Sequence, residues 1–263
     1  MYARYVVGVD GSSPSRAALS WAAGRAETDG VPLVIAHVEE PEGGMMGGDF
    51  ARTEMRSGSD LLTQLASSLH GHGTDVSTTL LSGFVPWSLA EATRPDDLLV
   101  IGTHKTGFLH GRVLGSRSVQ IAASARCTVA VIPDTDLRRR TGVVVGVRPG
   151  ETPDVIEAAA AEASRHGQQL SVIRSISPHT EKEPSPAIQA VQAAHPGLSI
   201  RTKETRRSPA EALLDAGRDK ALLVIGPGVG TGTGSPIGSV LHDVLLNLTA
   251  PVLVVRDPRQ GLG

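Results

Sequence analysis

One cysteine, Cys127, occurs in 263 residues, so no disulfide can form within the chain. Aromatic residues make up only 3%, which leaves few platforms for stacking unpaired bases and argues against single-stranded nucleic acid as a partner. Neither sign of charge dominates: 25 Lys and Arg oppose 27 Asp and Glu, a net charge of -2, with no polybasic surface and no acidic tail. No apolar run approaches the roughly 20 residues of a membrane span. Met1 to Arg4 pass directly into the strand-like Tyr5 to Val9, leaving no room for a signal peptide, so a cytoplasmic location is expected. The chain has no Gly-x-x-x-x-Gly-Lys-Ser/Thr, no His-Glu-x-x-His and no Cys-x-x-Cys, and Gly8 to Ser13 lacks Gly-x-Gly-x-x-Gly. The usual marks of a P-loop NTPase, a zinc protease and a dinucleotide oxidoreductase are therefore missing.

What is present is a repeat. Val6-Val7-Gly8-Val9-Asp10-Gly11 returns as Val144-Val145-Gly146-Val147-Arg148-Pro149, a shift of 138. Val100-Ile101-Gly102 returns as Val224-Ile225-Gly226, Gly115-Ser116 as Gly238-Ser239, and the apolar run Val129 to Ile132 as Val252 to Val255. Landmarks repeated in order argue for duplication, hence two domains, 1–136 and 140–263, each long enough for its own core. The basic turn Asp136-Leu137-Arg138-Arg139-Arg140 reads as a solvated linker between them.

In the first half, apolar runs at Tyr5 to Val9, Leu33 to Val38, Val76 to Leu81, Leu98 to Ile101 and Val129 to Ile132 alternate with helical stretches. Ser12 or Ser13 followed by Pro14 marks one helix start, and Thr53 to Leu69, Pro86 to Thr93 and Ser116 to Ser124 read as further helices. The pattern predicts an α/β fold, a five-stranded, mainly parallel sheet in each half with helices on both faces and ligands at the carboxyl ends of the strands. Cys127 reads as a buried small hydrophobe, and Asp96-Asp97 as a turn at the amino end of the fourth strand. Gly43 to Gly48 reads as a flexible segment after the second strand, either a flap over a ligand or an ordinary loop.

Gly102, directly after a buried strand, is expected to turn the backbone and present N–H groups, while Gly115-Ser116-Arg117-Ser118 opens a helix whose free N–H groups face the same point. An anion can then be held from two sides. Alone, Gly-Ser before a helix is equally an ordinary cap. Lys105, His104, His110, Arg112 and Arg117 bring positive charge to this loop, either as phosphate contacts or as a solvated basic loop.

Taken together, these residues resemble the universal stress protein family, in its tandem two-domain form. The nucleotide-binding branch of that family has Gly, two residues, Gly, nine residues, then Gly-Ser or Gly-Thr. Gly102, Gly115 and Ser116 fit that pattern, and Lys105 stands at the second glycine. The resemblance implies Rossmann-like, adenine nucleotide alpha hydrolase-like domains that pack as an internal pseudo-dimer, homo-oligomers being open. It implies ATP as ligand, with Mg2+, in the first domain. Asp10 would reach the ribose or adenine, the Val38 backbone would meet the adenine edge, and Ser116 and Ser118 would hold phosphates, with Val9, Ile101, Gly102, Lys105, Gly115 and Arg117 completing the set. Lys105 either obstructs an anion nest or adds an ammonium to it.

The second half departs further: Arg148 replaces the carboxylate, and Pro227 to Ile237 carries no charge. Gly228, Gly230, Gly232 and Gly234 can still wrap an anion with backbone N–H groups, helped by Ser239 at the helix start, but a degenerate site is expected, and no residue is assigned to catalysis or to a metal. Three functions follow as alternatives: an ATP-binding stress-response or regulatory protein with an unknown signalling partner, a nucleotide-free interaction scaffold, or a slow ATPase. Binding without turnover is the expectation.

Overall fold

The computed structural model describes residues 2–40, 48–103, 108–109, 112–113, 116–147, 153–176, 186–228 and 237–256. The chain forms two compact units, Met1–Asp134 joined by Arg256–Gly263, and Thr135–Val255. The division thus falls just before the basic turn placed at the boundary, which belongs to the second unit. Arg138 turns back on Asp136 at 3.0 Å, and Arg140 donates to the Thr249 carbonyl at 2.6 Å.

In chain order the first unit contains β1 (Tyr5–Gly8), α1 (Ser13–Asp29), β2 (Leu33–Glu39), α2 (Gly48–Ser68), β3 (Val76–Ser82), α3 (Val85–Glu91), β4 (Leu98–Thr103), β5 (Phe108–Leu109), β6 (Arg112–Val113), α4 (Ser116–Ser124) and β7 (Thr128–Pro133). Its main sheet runs β7-β4-β1-β2-β3, with every described pairing parallel. Buried apolar runs dictate this arrangement. Tyr5, Leu33, Ile35, Leu98, Leu99 and Ile132 are fully buried, as befits strands covered on both faces. Cys127 is buried as expected, and burial pushes its thiol up from the ordinary range.

α1 starts where the serines and proline indicate. Ser12 is the cap, its hydroxyl accepting from the Ser15 N–H at 3.4 Å, and Gly30 closes the helix in the left-handed conformation. α4 spans the expected Ser116 to Ser124, whereas α2 begins at Gly48, inside the glycine-rich segment read as flexible; residues 43–47 of that segment lie outside the described residues. β5 and β6 pair antiparallel as a short hairpin between β4 and α4, where only a loop was expected.

The second unit repeats the plan with β8 (Val143–Val147), α5 (Pro153–Arg165), β9 (Leu170–Ser175), α6 (Pro186–Ala194), β10 (Ile200–Thr205), α7 (Pro209–Gly217), β11 (Leu222–Ile225), α8 (Ser239–Asn247) and β12 (Val252–Val254). Its strands follow the same order, β12-β11-β8-β9-β10, again parallel in every described pair. In each unit the chain winds outward in one direction through the second and third strands and in the other through the fourth and fifth. The winding therefore reverses between β1 and β4, and between β8 and β11. Such a reversal opens a crevice at the carboxyl ends of the two strands, where open α/β sheets bind ligands.

Asp96-Asp97 is more than a turn. Asp97 is fully buried and takes a two-pronged contact from Arg4, Nε to Oδ1 at 3.0 Å and Nη2 to Oδ2 at 2.9 Å, plus the Arg94 N–H at 2.7 Å. The contact raises the Arg4 guanidinium above its ordinary value. A carboxylate so placed ties the amino ends of β1 and β4 together, away from the crevice. Arg256 supplies a second tie in the first unit, donating to the Ala122 and Ala123 carbonyls at 2.7 and 3.3 Å, where a cation complements the last turn of α4.

Candidate functional site

The crevice of the first unit is built from the ends of β1, β2 and β4. β1 stops at Gly8, which pairs with Ala36 on one side and Ile101 on the other, while β2 and β4 run on beyond it. Val9 donates to the Ala36 carbonyl at 2.8 Å and its own carbonyl accepts from His37 Nδ1 at 2.7 Å, which fixes the end of β1 against β2.

Backbone direction alternates along a parallel strand. The Ala36 carbonyl points toward β1 and the Glu39 carbonyl toward β3, where it accepts from Gly83 at 3.0 Å. Val38, in step with Ala36, therefore turns its N–H and carbonyl toward β1, past the point where that strand has ended. Gly102 is placed likewise: the Thr103 carbonyl faces β7, accepting from Asp134 at 3.3 Å, so the Gly102 backbone faces the gap from the opposite side. Two main-chain edges, Val38 and Gly102, thus look into one crevice.

Gly102 does this from within β4, paired with Ile132, and not from a turn as expected. Its need for glycine is steric. A Cβ there would overlap the Pro14 carbonyl and approach the Ser15 nitrogen to 2.7 Å, so the bare Cα lets the first turn of α1 lie against the sheet. Gly8 and its register partner Ile101 project to the other face, where Leu89 of α3 packs. Helices thus cover the crevice end of the sheet from both faces.

Asp10 lies exposed at the mouth. Its Oδ1 accepts from the Ser12 N–H at 3.0 Å and the Ser12 hydroxyl at 2.5 Å, an Asx turn that Gly11 permits with φ of 79°. Burial of the carboxyl acts to raise its pKa, but the hydrogen bonds from Ser12, with that from the Ser15 hydroxyl, outweigh this and hold it below the usual carboxylate range. Asp10 is an ionised acceptor at neutral pH.

The helix α4 side of the site differs from expectation. The Ser118 side chain is buried, with only 4% of the residue exposed, and its hydroxyl lies 3.5 Å from that of Thr103, also buried, so it braces α4 on β4. Arg117 is exposed, but its Nη2 meets Glu40 Oε2 at 2.7 Å, and Glu40 Oε1 in turn accepts from the Val85 N–H at 3.4 Å. The guanidinium expected to meet phosphate is thus held by a carboxylate at the end of β2. Ser116 begins α4, while Lys105 and Gly115 lie outside the described residues, as do His104 and His110. No group of three His, Cys, Asp or Glu suited to a metal ion occurs among the described residues.

The equivalent crevice of the second unit, where a degenerate site was expected, holds a cavity of about 290 Å³. Gly146 and Val147 line it from β8, Ile173 and Ser175 from β9, Ile225 and Gly226 from the β11 end. Pro209 and Leu213 of α7 and Ser239, Val240 and Leu241 of α8 close its sides. By register Ser175 takes the place of Val38, and Gly226 that of Gly102. The repeat itself was the signal for this site.

No described helix is long and apolar enough to cross a membrane. Residues 1–133 match the universal stress protein family. The chain is 28% identical to a universal stress protein of Mycolicibacterium smegmatis, covering 95% of this chain and 96% of the relative, and 28% identical to one of Mycobacterium tuberculosis, covering 97% and 95%. In fold it is similar to the crystal structure of a universal stress protein from Archaeoglobus fulgidus, with a TM-score of 0.78, 17% identity, and coverage of 97% of this chain and 99% of that one. Both the family match and the α/β architecture agree with what the repeated landmarks led us to expect, and the chain belongs to the universal stress protein family.

Proposed function

We propose that the first unit binds an adenine nucleotide, ATP with Mg2+, and that the bound nucleotide serves regulation in a stress response, without turnover. The observation that carries the reading is the main-chain edge of Val38 beyond the end of β1. A purine offers a donor and an acceptor along one edge, and an N–H and a carbonyl directed into a crevice are their complement. Asp10, ionised and exposed at the mouth, accepts from ribose hydroxyls in the way acidic residues do in other nucleotide-binding α/β folds. The described residues therefore fit the adenosine part of the ligand. The phosphates would extend toward the first turn of α4, where the helix N-terminus and Arg117 favour negative charge, Arg117 exchanging Glu40 for phosphate. ATP would supply the free energy of binding that shifts the protein between conformations.

Isothermal titration of the full chain with ATP and magnesium tests this against Asp10→Ala. A saturable site in the wild type, weakened at least tenfold in the variant at unchanged fold, supports the reading. Equal affinity in both removes Asp10 from the site. The alternative, a nucleotide-free interaction scaffold, is favoured by one observation: Phe84 and Trp87, their rings 5.4 Å apart, stand exposed at the start of α3.

A further inference from the structure

The cavity at the ends of β8 and β11 has a chemistry unlike that of the first-unit crevice. Every side chain described in its lining is uncharged, and its polar groups besides the backbone are the hydroxyls of Ser175 and Ser239. A phosphate brought there would meet the N-terminus of α8 but no side-chain cation among the described lining residues, whereas the first unit adds Arg117 beside its helix N-terminus. The intervening sequence, residues 227–237, also carries no charge. Arg148 adjoins Val147 in sequence, and the competition with ATP below tests whether it draws an anion to this site.

The size is equally restrictive. At ~30 Å³ per water molecule the cavity corresponds to about ten waters, at the lower limit of small-molecule sites. Its position matches that of a ligand crevice, since β8 and β11 flank the point where the strand order reverses. Leu213 of α7 and Leu241 of α8 join Val147, Ile173 and Ile225 in giving the cavity a mainly apolar lining, and the hydroxyls of Ser175 and Ser239 are its side-chain polar groups.

We propose that the second unit binds a small, uncharged, predominantly apolar molecule of one to three rings in this cavity, a ligand class separate from the nucleotide of the first unit. Duplication would then have produced two sites of different chemistry on one chain, the second having exchanged charge for apolar surface. The proposal does not depend on nucleotide binding by the first unit.

The neutral fluorophore N-phenyl-1-naphthylamine, titrated into the full-length chain, tests it. The expected result is saturable fluorescence enhancement at one probe per chain, unaltered by millimolar ATP with magnesium. Ser175→Phe and Val240→Trp fill the cavity from β9 and from α8, and each should weaken the probe at least tenfold; circular dichroism and the unfolding midpoint identify which variants are folded, and either one suffices. Absence of saturable enhancement in the wild type overturns the proposal. So does displacement of the probe by ATP, or full affinity in a folded filling variant.

Discussion

Arg117 and Glu40 lie 77 positions apart in sequence and meet at 2.7 Å, a bond between the first turn of α4 and the end of β2 across the carboxyl edge of the sheet. The pair closes one side of the proposed nucleotide site. It also places the guanidinium in competition between a carboxylate of the protein and a phosphate of the ligand, and that competition can be measured.

Glu40→Gln should strengthen ATP binding. The pair is solvent-exposed, so releasing Arg117 is worth roughly 0.2–1 kcal/mol, a gain of between one and a half and fivefold in affinity. Arg117→Ala should abolish the gain when combined with Glu40→Gln. Titration calorimetry of the two single variants and the double variant checks both statements, and an unchanged affinity in Glu40→Gln would separate Arg117 from the ligand.

Gly102→Ala should destabilise the first unit by about 1–3 kcal/mol, because the added methyl meets backbone at Pro14 and Ser15 and neither can rotate away. The shift of α1 off β4 should also weaken nucleotide binding. A lowered denaturation midpoint at unchanged slope is the expected observation in urea.

Asp97→Asn should cost about 2–4 kcal/mol, because it leaves the Arg4 guanidinium facing a neutral group at a buried position; partial exposure of Arg4 moderates the loss. Nucleotide affinity should change less than twofold, since the pair sits at the opposite end of the strands from the crevice.

Asp10 makes a pH-dependent contribution of known sign. Its carboxyl is held below the ordinary range when folded and titrates near 3.9 when unfolded. The stabilisation is therefore fully present above about pH 4 and disappears as pH falls through the folded value. Unfolding free energies of the wild type and Asp10→Asn should differ at pH 6 and converge in strong acid. A difference that persists once the carboxyl is protonated in the folded protein would show that the Asx turn does not depend on the charge.

Much of this architecture was legible in the residues themselves. Ser12-Ser13-Pro14 marked the start of α1, Ser116 to Ser124 marked α4, and the five apolar runs marked the strands of the first sheet, because caps and hydrophobic runs act over a few neighbouring residues. Contacts between distant residues were hidden. Asp97 read as a turn since its partner, Arg4, lies 93 positions away, and Arg117 read as a phosphate contact or a solvated cation since Glu40 lies 77 positions away. Gly102 read as a glycine that turns the backbone, whereas what requires glycine there is the close passage of α1. In the second unit the glycines after β11 and Ser239 read either as a backbone wrap for an anion or as a degenerate loop, and the apolar cavity stayed hidden because its lining comes from segments distant in sequence.

Nucleotide binding by the first unit is decided by isothermal titration of the ligand-stripped full chain with ATP and magnesium. The expected result is one ATP per chain, bound at least tenfold more weakly by Asp10→Ala and with unchanged affinity in Ser175→Phe of the second unit. No binding up to millimolar ATP, or a single site lost in Ser175→Phe and retained in Asp10→Ala, would contradict it.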